Sequence, residues 1–119
     1  MRDLPVYLAI ICFLVMGIGA IAKPHLVTSQ FDMLDLTAAG RNEVRAVYGG
    51  FGVMIAVALM AALQMPALRV GILVAVAAAL GGMAGGRVVS AVIDRTIGKV
   101  PLCYLILEAV VAVLLLFMA

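Results

Sequence analysis

Seven polar side chains stand out in an otherwise apolar chain: Glu43, Arg45, Tyr48, Arg87, Ser90, Tyr104 and Glu108. Their spacing matters as much as their types. Ser90 and Asp94 follow Arg87 at i+3 and i+7, Tyr104 precedes Glu108 by four residues, and Tyr48 follows Arg45 by three. On helices each set shares a face. A guanidinium and a carboxylate brought together this way can hold an ion or a polar headgroup, relay a proton, or lock two helices in register. Glu43, Arg45, Arg87 and Glu108 sum to zero charge, so they can pair among themselves. Ionisable groups inside a membrane segment are functional-site candidates by default, because each is expensive to keep there. The plainer reading is that Arg87 and Glu108 only fix register, while Glu43 and Arg45 reach water by extending along their stems.

Other chemistries lack the residues they need. The chain has one histidine, His25, placed after Lys23-Pro24 where solvation suffices. It has no Cys-x-x-Cys, no clustered carboxylates and no glycine-rich phosphate loop, so no metal, haem or nucleotide cofactor is expected. Cys12 and Cys103 both fall in apolar runs and read as small hydrophobes; a redox pair is the less favoured alternative. The eight methionines are scattered through apolar stretches and read as packing or lipid-facing residues.

The elements that must position these side chains follow from composition. Of 119 residues, 67% are hydrophobic and 12% charged. Soluble proteins carry about 25% charged residues, and a chain this short cannot hide so much apolar surface from water. The expected class is an all-α integral membrane protein, with residues 1–119 forming a single four-helix membrane domain. A bilayer crossing takes about 20 mainly apolar helical residues. Four stretches meet that need: about 5–22, 44–63, 70–93 and 101–118. Pro5 and Pro101 fall in first turns, where proline sacrifices no hydrogen bond. Lys23-Pro24 and Met65-Pro66 mark helix ends. Ala20-Ile21-Ala22 imitates a signal-peptide cleavage site, but Arg2 is offset by Asp3 and the segment is expected to stay as the first span.

The connections are unequal. Gln64–Arg69 and Asp94–Val100 are short, whereas Lys23–Glu43 is long for a compact bundle. Within it, Phe31, Leu34 and Leu36 are expected on one side of a short helix lying on the membrane surface. Gly49, Gly52 and Ala56 form one small-residue stripe on the second span, and Ala75, Ala79, Gly82 and Gly86 another on the third. Such stripes let helices approach closely in lipid; plain packing is the main reading, with room for a ligand beside the glycine pairs as the alternative. Lys23, Arg41, Arg95 and Lys99 outnumber Arg2 and Arg69, so the positive-inside rule puts the first and third loops in the cytoplasm.

Up-and-down order puts Arg87 about two turns before the end of the third span and Glu108 about two turns into the fourth. Both then lie roughly 10 Å below the same face. Opposite charges at matched depth are expected to pair.

The run Arg41-Asn42-Glu43-Val44-Arg45-Ala46-Val47-Tyr48-Gly49-Gly50 resembles a family of small bacterial membrane proteins described only as a domain of unknown function, distantly similar to DoxX-like membrane proteins. Gly86-Arg87 and Glu108 extend the resemblance over the second to fourth spans. It implies a four-helix bundle and groups Glu43, Arg45, Tyr48, Arg87 and Glu108 together, without implying an activity.

The expected function is non-enzymatic: binding of a lipid-like or amphiphilic ligand, or service as an accessory subunit of a larger membrane complex or in a homodimer. Nucleic acid is not an expected partner, and the expected location is the bacterial inner membrane. A small proton-coupled transporter is the alternative, weakened because its carboxylate, Glu108, falls in the last span and is expected to be neutralised by Arg87. An enzyme using Glu43 or Glu108 as acid/base on a lipidic substrate, such as an isomerase, with Tyr48 and Tyr104 assisting, is the third reading.

Overall fold

The computed structural model of the chain describes residues 2–33 and 35–119. It is all-helical: α1 (Leu4–Ala22), α2 (His25–Ser29), α3 (Ala38–Val44), a π-helical segment (Arg45–Gly50), α4 (Phe51–Gln64), α5 (Pro66–Asp94) and α6 (Lys99–Met118). The second long helix is continuous through α3, the π segment and α4. With α1, α5 and α6 it makes four helices long and apolar enough to cross a membrane.

These helices begin and end where local chemistry dictates. Pro5 and Pro66 sit in the first turns of α1 and α5. Thr37 caps α3 by accepting the Gly40 N–H at 3.1 Å, satisfying a donor the first turn leaves unpaired. The second long helix therefore starts at Ala38, six residues before the expected Val44. The third starts at Pro66 instead of Val70, because proline at a first-turn position starts a helix as readily as it ends the previous one.

Consecutive long helices pack antiparallel, and α1 closes the square against α6. One half of the bundle is an apolar core: Val6, Ala9 and Ile10 of α1, Leu59 and Ala62 of α4, Leu73, Val76, Ala77 and Leu80 of α5, and Ala112 and Leu115 of α6. Its end is tied by Arg69, which bonds the Asp3 carboxylate at 2.6 Å and the Met118 carbonyl at 3.3 Å. The outward surface is apolar, with Val15, Val92, Ile93 and Phe117 more than two-thirds exposed. Such a surface suits lipid and is unsuited to water.

The other half is held by glycine. Buried residues along the second long helix run Val44, Gly49, Gly52, Ala56 and Leu59. All steps are three or four residues except the five-residue step from Val44 to Gly49. That step spans the π segment, where the Phe51 N–H reaches back to the Ala46 carbonyl. The extra residue rephases the helix so that α3 and α4 keep one buried face. A β-carbon on Gly17 of α1 would lie 2.8 Å from both the Gly49 carbonyl oxygen and the Val53 nitrogen. Two backbones meet there, as the stripe on the second span predicts.

The first loop departs from its predicted form. It is helical at its two ends, and residues 30–33 and 35–37 are not helical. Phe31 lies in a turn and not in a helix, with its ring 5.6 Å from that of Tyr104 on α6; Leu34 lies outside the described residues. Asp32, at φ 60°, makes the turn that allows this.

Candidate functional site

Arg87 and Glu108 face each other from α5 and α6. Arg87 Nε donates to Glu108 Oε1 at 2.6 Å and Nη2 to Oε2 at 3.1 Å. This is the two-pronged geometry in which a guanidinium matches a carboxylate best. Glu108 is 4% exposed, so the carboxylate is the buried partner and Arg87 the one that reaches outward. The matched depth inferred from residue counts is what the fold delivers.

The first loop covers this pair. The Arg87 guanidinium carbon lies 5.3 Å from the Tyr104 ring centre and 5.8 Å from that of Phe31. The two rings are 5.6 Å apart, so cation and rings form a triangle, each ring face offering negative quadrupole to the guanidinium. The Tyr104 hydroxyl donates to Gln30 Oε1 at 2.6 Å, fastening the loop to α6. Sequence reasoning placed Phe31 in the loop without its role, and passed over Gln30. A polar residue next to an aromatic, opposite a helix carrying Tyr104, was the available signal.

On the open side of Arg87 lies a cavity of about 550 Å³ between the π segment and the α5–α6 hairpin. Tyr48 enters it from the π segment; Arg87, Ser90 and Asp94 line it from α5; Thr96 and Gly98 lie at its rim. The i, i+3, i+7 stripe on the third span is therefore one wall. Neither Tyr48 nor Ser90 has a side-chain hydrogen-bond partner among the described residues, and Arg87 keeps unshared N–H groups after serving Glu108. The cavity thus presents donors and hydroxyls to an incoming polar group.

The seven candidate residues divide into three sets. Tyr48, Arg87 and Ser90 line the cavity. Tyr104 and Glu108 stand behind Arg87 and hold it. Arg45 and Glu43 are exposed and outside the cavity lining. Arg45 Nε donates to the Ile21 carbonyl at 3.0 Å, closing a carbonyl that the end of α1 leaves unpaired. Both thiols are free and exposed. No group of three His, Cys, Asp or Glu converges among the described residues.

The family described as "Domain of unknown function (DUF4345)" matches residues 4–119. The match covers nearly all of the chain, which belongs to that family. No curated protein matches the chain, and no solved structure does.

Proposed function

We propose that this member of the family is a non-enzymatic protein of the bacterial inner membrane that binds a lipid-like amphiphile in the cavity beside Arg87. One observation carries the reading: an open groove of about 550 Å³, lined by both polar and apolar residues, lies beside Arg87 in a bundle whose outer surface is apolar. Its volume is in the range of small-molecule sites. A molecule entering it can leave its hydrocarbon part in the bilayer while its polar end meets Tyr48, Ser90 and the outer N–H groups of Arg87. The Arg87–Glu108 pair argues against the transporter reading, since Glu108 is buried and already partnered. The enzyme reading rests on Glu43 or Glu108 as the acid/base, and neither lines the cavity.

Mass spectrometry of protein extracted gently from membranes tests this. The wild type is expected to retain an amphiphile in defined stoichiometry. Ser90→Leu fills the cavity wall without touching the ion pair and is expected to release it. Absence of any retained or reconstitutable amphiphile from a folded wild type overturns the reading.

A second reading, an accessory subunit or homodimer, is favoured by a separate observation. The face of α5 turned away from the core carries Gly71, Ala75, Ala78 and Gly82, all exposed. A β-carbon on Gly71 or Gly82 would meet nothing within 4 Å. Small residues facing outward are what a neighbouring membrane helix packs against.

A further inference from the structure

Resting on the amphiphile-binding reading, we infer that the cavity selects an uncharged, hydroxyl-bearing lipid of the acylglycerol class over its phosphorylated counterpart. The argument begins with charge. Among the described residues Arg87 is the one cation that lines the cavity, and it is already paired by two contacts to Glu108. Asp94 also lines the cavity and has no ion-pair partner among the described residues. Arg95 and Lys99 flank the rim but do not line the space. Of the charges that line the space, Asp94 alone is unpaired, and a phosphate entering it meets that carboxylate without an unshared cation in the lining to offset it.

The order of groups along α5 gives the second step. From Met83 to Asp94 the helix rises about 16 Å. Met83 is 41% exposed, and a β-carbon on Gly86 would meet nothing within 4 Å. Arg87 and Ser90 come next, then Asp94 and Thr96 at the rim. A lipid lying along this wall finds apolar surface, then N–H and hydroxyl donors, then a carboxylate acceptor. An acylglycerol carries the matching sequence: hydrocarbon chain, ester carbonyl that only accepts, and hydroxyls that donate. The ester meets Arg87 and the terminal hydroxyls meet Asp94.

Two probes that differ only by a phosphate test this: 1-monooleoylglycerol and 1-oleoyl lysophosphatidic acid, titrated into the full chain in phosphatidylcholine nanodiscs. The uncharged probe is expected to bind at least about tenfold more tightly, the scale of one charge-assisted hydrogen bond. Asp94→Asn, a change at an exposed helix end, is expected to weaken the uncharged probe and strengthen the phosphate, narrowing the gap to about threefold or less. Equal or tighter binding of the phosphate overturns the headgroup inference and leaves amphiphile binding standing. Binding of neither probe by folded wild type overturns both. A gap that Asp94→Asn leaves unchanged overturns the role given to Asp94.

Discussion

Arg87 and Glu108 are unequal partners, and the inequality decides what each substitution does. Glu108 is buried, whereas the Arg87 side chain is 23% exposed and also faces two aromatic rings. Arg87→Met leaves a carboxylate enclosed without its guanidinium, a loss of about 3–5 kcal/mol. Glu108→Gln leaves Arg87 its rings and the open cavity, so the loss is smaller. Arg87→Met with Glu108→Met removes both charges and is expected to recover most of the stability, since a buried pair gives little net stabilisation over apolar residues of similar size. Reversible unfolding in mixed micelles measures all three. A double variant as unstable as Arg87→Met means that the site's stability lies in more than the pair. This residue-scale feature was the most legible in the sequence, because depth along a helix is a matter of counting. Arg45 was misplaced by the same counting. It has the right depth, but the end of α1 offers it a carbonyl, and sequence spacing carries no information about which neighbouring helix end is left unpaired.

At the scale of elements, glycine has two opposite roles that composition cannot separate. Gly17 lies where a β-carbon would strike two backbone atoms of the second long helix, whereas Gly82 faces open space. Gly17→Ala must push α1 away from the π segment and is expected to destabilise by about 1–3 kcal/mol. Gly82→Ala meets nothing and restricts a flexible unfolded chain, so it is expected to stabilise the isolated fold by about 0.5–1 kcal/mol. Thermal unfolding of the two variants in detergent reads the difference in sign; two changes of the same sign contradict the packing described. The small-residue stripe on the second span was legible as a close approach, and its partner, Gly17, was not singled out because a lone glycine in an apolar run has no periodicity. The π segment was also illegible in advance: its only trace is the five-residue step between Val44 and Gly49, visible once burial is known. The first loop was read as one surface helix because its apolar residues fit that spacing. Thr37, a good helix cap three residues before Gly40, was the competing signal, and the fold follows it.

For the whole molecule, the four long helices account for one face of α5 and leave the other unused. From Val70 to Gly86 this helix carries no charge, and its outward face runs Gly71, Ala75, Ala78 and Gly82. In lipid there is no hydrophobic gain from covering such a face; the gain comes from close backbone approach. A charge-free stripe of small residues is complementary to itself, so two copies related by a two-fold axis can pack stripe to stripe. The cavity lining begins beside the end of the stripe, at Met83 and Gly86, and its polar members Arg87, Ser90 and Asp94 lie off the stripe on the same helix. A homodimer in the bilayer is therefore expected, with Ala75→Leu and Gly82→Leu together shifting it to monomer while the retained amphiphile stays bound. Counting of labelled chains by single-molecule photobleaching in liposomes measures the first effect, and mass spectrometry of the same variant the second. A wild type that is monomeric at every protein-to-lipid ratio assigns the stripe to a different membrane protein, and loss of the amphiphile along with the dimer means that the cavity depends on the second copy.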